Sequence, residues 1–521
     1  MLITPVRRQR KGKTKMKISN PFLPMDMPDP DVLRVGDCWY MVSTTMFFMP
    51  GAPILRSRDL KHWEICSYIC DTISEDDRYR LKGGLNAYGK GQWATSLCEH
   101  NGAFYACFVC HDLGKTFLFR TEDIERSGWE RSCVEEVFHD MSFLFWEGKN
   151  YLVYGNGEIR IVELNEDLTG VKEGGLRKIL FSTPKERIGL RCEGCRAYVR
   201  DGKIYLCFIE WPLEGEGNGR RRQVCYRAES LEGPFERKVI FDDDLGLTAR
   251  GIAQGPLFDA PDGSWYSILF QDSGAVGRVP FLFPVRWEEG WPIIGENGKG
   301  LREIEVPWEE DPTEALIISD SFAYAENRLP LQLQWNHNPA EGEWSFTERP
   351  GYLRLRPQQK ATELLDACGT LTERTSLPEC SFTVRCDLSG MKDGMHAGLA
   401  AFMAQYGTAE VRKENGKYVI CSMRRNPEKT LEECGTMPLE DLVGARPEDI
   451  TFRVRFVFGE GKDLAYFAVS GDGERFTELG EPLKMRYSLE LFVGYRIGVF
   501  CYATEELGGY ADFRDLRYVG D

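Results

Sequence analysis

The stretch Asp201-Gly202-Lys203-Ile204-Tyr205, followed by the apolar residues 206–209, decides the fold of this chain. A glycine-containing turn that leads into an aromatic and β-branched run is typical of a β-hairpin. The pattern recurs between residue 32 and about residue 300, in Gly36-Asp37-Cys38-Trp39-Tyr40, Asn101-Gly102-Ala103-Phe104-Tyr105, Gly148-Lys149-Asn150-Tyr151 and Asp262-Gly263-Ser264-Trp265-Tyr266. Such repeats, with almost no helical periodicity, predict a five-bladed β-propeller with a four-stranded sheet in each blade.

The second half of the chain follows a different pattern. Pro307-Trp308-Glu309-Glu310-Asp311-Pro312 has the composition of a linker. After it, alternating apolar and polar residues predict the strands of a two-sheet sandwich, at residues 382–386, 399–403, 418–423, 450–458, 464–469 and 497–502. We therefore predict an all-β chain with a basic, disordered leader at residues 1–19, a propeller at 20–306, a linker at 307–317 and a β-sandwich at 318–521.

Composition restricts the class of partner. The net charge of −16 disfavours nucleic acid and anionic membranes as partners. The 17 cysteines, an odd number scattered along strand-like segments, indicate a reducing compartment rather than a disulfide framework. The N-terminus is basic without an apolar signal region, and no uninterrupted apolar run is long enough to span a membrane. We expect a cytoplasmic protein; homo-oligomerisation and the natural start, Met1 or Met16, stay open.

Three acidic residues precede the predicted innermost strands of three different blades. Asp29 lies between Pro28 and Pro30, which should hold it on a stiff, extended backbone. Asp140 precedes the apolar run 143–146, and Glu193 precedes residues 197–199. Each acid alone has the character of a solvated turn residue. At equivalent positions in three repeats, however, they predict one site at a mouth of the central channel.

Three carboxylates at one mouth fit the chemistry of glycoside hydrolysis. Crowded acids shift each other's pKa, so that one can stay protonated while another is ionised. Hydrolysis of a glycosidic bond needs an acid for the leaving oxygen and a base for water. Aromatic rings at the mouth would stack on the apolar face of a sugar; the candidates are Phe47, Phe48, Trp93 and Trp211, with ordinary blade packing as the alternative for each.

Several motifs together resemble glycoside hydrolase family 43, in its β-xylosidase/α-L-arabinofuranosidase branch. They include Asn20-Pro21-Phe22-Leu23-Pro24, Pro28-Asp29-Pro30, Gly91-Gln92-Trp93-Ala94-Thr95-Ser96, Gln271-Asp272-Ser273-Gly274-Ala275-Val276-Gly277-Arg278 and Trp335-Asn336-His337-Asn338-Pro339. The resemblance implies a concanavalin A-like sandwich and an inverting mechanism. It also implies that Asp29 is the general base, that Glu193 is the general acid, and that Asp140 orients this acid and tunes its pKa. Trp93 and Arg278 would line the pocket for the terminal sugar.

The resemblance also bears on metals. Relatives often carry a histidine in the channel segment of the fifth blade, near a calcium or water cluster. Here the segment is Gly251-Ile252-Ala253-Gln254-Gly255, and Ala253 takes that place, which weighs against a channel calcium while Gln254 is expected to face the channel. A structural calcium in the sandwich would have Asp320 and Asp512 as candidate ligands. No cofactor is expected for the chemistry itself.

Three functions stay open at this point. The first is an exo-acting hydrolase that releases xylose or arabinofuranose from oligosaccharides. The second is a carbohydrate-binding propeller without catalysis, against which the presence of all three carboxylates argues. The third is a related propeller glycosidase of different specificity, such as a retaining fructan hydrolase; the Asn-Asp-Pro-Asn motif of that family is replaced here by Pro28-Asp29-Pro30-Asp31.

Overall fold

The computed structural model describes residues 15–213, 219–459 and 461–520. In this part of the chain five antiparallel sheets follow one another, and the predicted five-bladed propeller is confirmed. The fifth blade has its innermost strand split into two short pieces. From blade 1 to blade 5 the strands are Asp31–Val35, Cys38–Val42, Gly51–Ser57, Glu64–Cys70; Thr95–His100, Ala103–Cys110, Lys115–Thr121, Glu130–Val134; Ser142–Trp146, Lys149–Tyr154, Glu158–Glu163, Arg177–Ser182; Ile188–Arg200, Lys203–Pro212, Arg222–Ala228, Glu236–Phe241; and Ile252–Ala253, Leu257–Asp259, Trp265–Asp272, Arg278–Glu288, Trp291–Ile294.

The recurring glycine turn joins the innermost strand of each blade to the second strand. At Asn101-Gly102 and Asp201-Gly202 both turn residues have positive φ, between 49° and 79°. This is the two-residue hairpin turn whose twist matches that of the flanking strands, and glycine adopts it without steric cost. The repeat in the sequence therefore marks the blade repeat directly.

The blades are joined around the channel by one repeated hydrogen bond. A backbone N–H on the inner strand of one blade donates to a side-chain oxygen on the inner strand of the preceding blade. The contacts are Leu97 N to Asp31 Oδ2 at 2.9 Å, Phe143 N to Ser96 Oγ at 3.3 Å, Ala197 N to Ser142 Oγ at 3.0 Å and Leu257 N to Tyr198 Oη at 2.7 Å. These bonds fix the inner strands, and with them the loops that carry the acids.

The prediction of a disordered leader at residues 1–19 is wrong for its last four residues, which form a strand. Met16–Ser19 form a strand that pairs antiparallel with Glu303–Val306, and Lys17 lies 2.7 Å from Glu303. Met16 and Ile18 are buried while Lys17 and Ser19 are exposed, and the many basic residues nearby make this period of two hard to detect in the sequence. Residues 1–14 lie outside the described part of the chain.

The second domain is a β-sandwich, as predicted. In the described residues each of its two main sheets has eight strands, and the last strand of the first sheet, Phe48–Met49, comes from the propeller. The first sheet contains Leu431–Pro438, Lys417–Arg425, Gly407–Glu414, Met395–Phe402, Arg496–Ala503, Leu371–Arg374, Gln334–Asn336 and Phe48–Met49. The second contains Trp344–Ser345, Leu353–Leu355, Ala511–Gly520, Glu379–Asp387, Ile450–Val457, Leu464–Ser470, Thr477–Glu478 and Leu483–Lys484.

Helical structure is confined to single turns in the residues described. These 3₁₀ turns are Asp77–Arg80, Gly274–Val276, Leu364–Asp366 and Leu439–Asp441. Accordingly, this part of the protein contains no helix with the length and apolar character needed to cross a membrane.

Candidate active site

A pocket of about 190 Å³ lies at one end of the propeller channel. It is lined by all three predicted acids, Asp29, Asp140 and Glu193, and by Trp93, Gln254 and Arg278. Asp29 and Asp140 come from the loops that precede the inner strands of blades 1 and 3, whereas Glu193 lies within the inner strand Ile188–Arg200 of blade 4. The structure thus brings together the three acids that the sequence assigned to one site.

Asp29 lies at the buried floor of the pocket, held by two donors. Both carboxylate oxygens of Asp29 lie 3.0 Å from Arg278 Nη1. Oδ1 also accepts a hydrogen bond from Gln254 Nε2 at 3.0 Å. Burial raises the pKa of Asp29, and the charge of Asp140 acts in the same direction, while the charge of Arg278 opposes both. A carboxylate with a raised pKa is a stronger proton acceptor, which suits a base.

The backbone at Asp29 differs from the extended conformation predicted from its flanking prolines. Its φ is 52°, in the left-handed region, and Asp140 and Gln254 share this conformation with φ of 48° and 62°. Asp29 and Asp140 stand just before the inner strands of blades 1 and 3, and Gln254 lies between the two short pieces of the inner strand of blade 5. Non-glycine residues in this region cost about 1–3 kcal/mol each and cluster at functional sites, where the surrounding structure enforces them. All three side chains line the pocket.

Asp140 and Glu193 lie next to each other in the lining of the pocket. Asp140 is buried, and its Oδ2 accepts a hydrogen bond at 3.0 Å from the backbone N–H of Gly194, the residue after Glu193. Glu193 keeps 20% of its side chain exposed, and its Oε2 accepts a hydrogen bond from Asn156 Nδ2 at 2.6 Å. Asp140 therefore fixes the backbone that carries Glu193, while Glu193 itself reaches toward solvent.

Two histidines extend this cluster, and sequence reasoning missed both. His139 Nε2 is 3.1 Å from Glu193 Oε2, and its Nδ1 is 3.1 Å from Nε2 of His111. Burial opposes a charge on His139, but the charge of Asp140 and the hydrogen bond and charge of Glu193 raise its pKa to about 9. Burial and the charge of His139 lower the pKa of His111. A sequence signal existed for His139, which directly precedes Asp140.

Replacing His139 by glutamine is expected to destabilise the protein below about pH 9 and to have little effect above it. The pKa of His139 rises from 6.5 to about 9 on folding, so its charge contributes stability that is complete below pH 6.5 and is lost as the pH rises through 9. The shift sets an upper limit of about 3 kcal/mol, since one pKa unit corresponds to about 1.4 kcal/mol. Thermal melting of both proteins between about pH 5 and pH 10 measures the difference.

His111→Gln is the matched control for this experiment. Because the pKa of His111 is lowered in the folded protein, protonation of this residue favours unfolding, and the variant should gain stability relative to the parent as the pH falls below 6.5. A destabilisation by His139→Gln that is constant across the pH range would contradict the ion pair.

The sandwich domain supplies one wall of the pocket. Tyr487, Leu489 and Phe492 line it, 180 to 185 residues after Pro307, where the linker-like segment begins. The Phe492 ring lies 4.4 Å from the Arg278 guanidinium and 5.6 Å from the Trp93 ring. Sequence reasoning confined the site to the propeller and missed this wall, because nothing in the local pattern around residue 490 shows which surface it contacts.

Three of the four aromatic candidates do not line the pocket. Phe47 and Phe48 are fully buried at the contact with the sandwich, where Phe47 stacks on His337 at 5.0 Å and Phe48 belongs to the edge of a sandwich sheet. Trp211 lies behind Arg221, whose guanidinium covers its ring at 4.9 Å and itself lines the pocket. Packing, the alternative reading, is correct for these three; Trp93 alone of the four reaches the site.

The calcium site expected at Asp320 and Asp512 is also corrected. Asp512 is fully buried and forms ion pairs with Arg354 at 2.7 Å and Arg349 at 2.9 Å. Asp320 accepts hydrogen bonds from Phe322 N at 2.7 Å and Tyr324 Oη at 2.5 Å. It bridges Leu516, four residues along the chain from Asp512. These contacts account for both carboxylates without a calcium ion, and arginines neutralise Asp512.

Comparison with known protein families identifies both domains. The model described as glycosyl hydrolases family 43 matches residues 18–292, and the model described as the beta xylosidase C-terminal concanavalin A-like domain matches residues 319–519. The chain belongs to glycoside hydrolase family 43. The resemblance inferred from the motifs is therefore confirmed, and the three carboxylates stand in the domain that gives the family its name.

Individual relatives share both domains. A beta-xylosidase from Formosa agariphila is 27% identical over 96% of this chain and 90% of its own. A xylosidase/arabinosidase from Butyrivibrio fibrisolvens is also 27% identical, over 94% of this chain and 93% of its own. Among solved structures, a bifunctional GH43-CE protein from Bacteroides eggerthii is 39% identical with a TM-score of 0.90; the match covers 97% of this chain but only 64% of that protein.

Family 43 hydrolysis needs no cofactor for its chemistry. One group here nevertheless has metal-ligand composition: His139, Asp140 and Glu193 each offer a ligand-type atom, and these atoms lie within 4.8 Å of one another. Each of the three already has a partner, since His139 binds Glu193, Asp140 accepts from Gly194 and Glu193 accepts from Asn156. We therefore interpret the group as an ion-pair network around the acid.

Replacing Phe492 by alanine is expected to raise KM for a small glycoside about ten-fold and to change kcat less. The change removes the ring that packs on Arg278 and opens the sandwich wall of the pocket; cation–aromatic pairs are worth about 0.5–2 kcal/mol. Tyr466→Ala is the matched control, because Arg455 covers that ring at the same 4.4 Å on the sandwich. Equal KM values for the two variants would contradict a role of the sandwich in binding.

Proposed function

We propose that this family 43 glycoside hydrolase is an exo-acting, inverting enzyme that releases terminal pentoses, β-D-xylose or α-L-arabinofuranose, from oligosaccharides. The observation that carries the proposal is the position of Asp29 and Glu193 in one small pocket. Asp29 is buried at its floor against Arg278, while Glu193 is partly exposed at its solvent side.

The depth of Asp29 supports exo action. A sugar bound against this carboxylate fills the closed end of a pocket of about 190 Å³, which leaves room for one terminal unit. The rest of the substrate then extends toward solvent, past Glu193. A chain threaded through the site would have to pass Asp29 and Arg278, which are paired and only 5% and 4% exposed.

The two acids then take different roles in the reaction. Asp29 accepts a proton from the water that attacks the anomeric carbon, with Gln254 and Arg278 fixing its orientation. Glu193 gives its proton to the leaving oxygen on the solvent side. The charged His139, 3.1 Å away, stabilises the carboxylate that Glu193 becomes, and Asp140 holds Gly194 and the adjoining backbone in place.

The choice of pentoses rests on the names of the relatives, which include a beta-xylosidase and a xylosidase/arabinosidase. A panel of nitrophenyl pentosides and hexosides tests this choice directly. We expect nitrophenol to be released from the β-xyloside or the α-arabinofuranoside and not from the hexosides. NMR of the first sugar anomer released tests inversion. Turnover of hexosides only, or a first product with retained configuration, would refute the proposal.

We further propose that the protein works in a reducing compartment such as the cytoplasm. All 17 cysteines lie in the described part of the chain with free thiols, and Cys133 is exposed. Oxidants would couple or modify exposed thiols of this kind. Fractionation of the producing cells, followed by activity assay, tests the location.

A further inference from the structure

Arg196 lies at the centre of the propeller channel, directly below the candidate active site. It is only 1% exposed, and it stands on Ile188–Arg200, three residues after Glu193. Its Nη2 donates to three backbone carbonyls, those of Asp29 at 3.1 Å, Pro30 at 3.0 Å and Thr95 at 3.2 Å. One guanidinium therefore connects the inner segments of blades 1, 2 and 4.

The atoms around this guanidinium are those that a hard cation prefers. Besides the three carbonyls, Cys195 O accepts from Nη1 at 2.9 Å, and the buried Asp31 carboxylate lies 3.4 Å from Nε. Carbonyl and carboxylate oxygens are the usual ligands of calcium. Here the guanidinium occupies their centre, so a calcium ion at the same place would face a like charge and oxygens that are already engaged. A metal ion at this place does not fit the residues around it.

We propose that Arg196 is the resident cation of the propeller channel and a positioning residue for Asp29, in place of a channel metal ion. The catalytic part of this inference rests on the proposed role of Asp29 as general base. Arg196 binds the carbonyls of Asp29 and Pro30 and shares a strand with Glu193. It thereby fixes the base relative to the acid through the backbone, without touching the substrate.

The charge of Arg196 acts on the same groups. It lowers the pKa of Asp29, of Asp31 and of Asp140, against the upward effect of burial on each. Tyr198 and the buried thiols of Cys107 and Cys195 also face it. Loss of this charge should raise the pKa of Asp29, so the acidic limb of kcat/KM should move to higher pH.

The first test uses the wild-type protein. Dialysis against a chelator, followed by metal analysis, should leave a protein free of bound calcium with an unchanged melting temperature and unchanged kcat. This result does not depend on which substrate the enzyme takes. Loss of stability or activity that calcium alone restores would overturn the proposal.

The second test compares Arg196→Lys with Arg354→Lys. Both arginines hold a buried aspartate, Asp31 and Asp512 respectively, but Arg354 lies in the sandwich away from the pocket. Lysine keeps the charge and loses the fork that reaches several carbonyls. Arg196→Lys should lower kcat at least ten-fold with KM within about three-fold, whereas Arg354→Lys should change only the melting temperature. Equal kinetics of the two variants would show that Arg196 is structural only.

The third test is rescue of Arg196→Ala by guanidinium. A second cavity of about 380 Å³, lined by Arg196 and Trp287 among others, gives solvent access from the opposite side of the channel. Millimolar guanidinium should raise the melting temperature of this variant, restore part of its kcat and return its acidic pH limb toward that of the parent. Arg354→Ala should show none of these effects. A folded Arg196→Ala variant with wild-type kcat would contradict the proposal, and so would one that guanidinium does not stabilise. If the alanine variant does not fold, the Arg196→Lys variant and the chelation test decide.

If no pentoside is hydrolysed, the proposed function fails while the metal analysis and the guanidinium-dependent melting shift still test the resident cation. If pentosides are hydrolysed but the chelator removes a stabilising calcium, the function stands and the role of Arg196 falls. The two failures are therefore distinguishable.

Discussion

Asp29→Asn is expected to remain folded and to lose about 10²–10⁴-fold in kcat. The amide has nearly the shape of the carboxylate, so it can keep the contact with Gln254 or Arg278 through its oxygen. It cannot take a proton from water, and the step that activates the nucleophile is lost. Steady-state kinetics on an aryl pentoside, together with a melting curve to verify folding, measure the effect.

Asp259→Asn provides the matched control. Asp259 also forms a bidentate pair with an arginine, at 3.0 Å and 2.6 Å from Arg34, between blades 1 and 5. Its loss removes an ion pair of the same kind without touching the pocket, and turnover should stay near that of the parent. Near-wild-type turnover by Asp29→Asn would remove Asp29 from the role of base, and equal losses in both variants would point to propeller stability instead.

The blade repeat was predictable because the relevant physics is local. Gly102 and Gly202 occupy turns with positive φ, and the aromatic residues after them fill the second strand of a blade. Neither feature depends on distant residues, so counting the turns gave the number of blades. The carboxylates followed from the same logic, since Asp29 and Asp140 stand at the same point of two repeats.

The rest of the site depends on contacts between distant parts of the chain. Phe492 reaches the pocket only because the sandwich packs on the propeller, and no periodicity reports that contact. The prediction that Phe47 and Phe48 stack on the sugar fails for the same reason. In the sequence, an aromatic pair that packs on a second domain cannot be told from one that contacts a ligand. The left-handed φ of Asp29 likewise differs from the extended backbone that Pro30 favours for the residue before it, so the local sequence did not predict it.

Glu193→Ala is expected to lose about 10²–10⁴-fold on a substrate with a sugar leaving group and much less on an activated aryl glycoside. A sugar alkoxide needs a proton as its bond breaks, whereas a nitrophenolate of low basicity leaves almost unaided. Glu193 is placed for this task, since it lies on the solvent side of the pocket with His139 and Asn156 holding its Oε2. The comparison of kcat/KM for xylobiose and for nitrophenyl xyloside measures the difference.

Asn156→Ala distinguishes loss of the proton donor from loss of its position. Removing this amide deletes the 2.6 Å hydrogen bond to Glu193 but leaves the carboxyl group in place, so the sugar leaving group should slow by a smaller factor than in Glu193→Ala, and the activated aryl glycoside should change little. Glu193→Ala should instead separate the two substrates by orders of magnitude, because only the basic leaving group depends on the proton. Equal losses on both substrates in Glu193→Ala would mean that Glu193 binds the sugar and that the proton for the leaving group comes from another residue of the cluster, with Asp140 the next candidate.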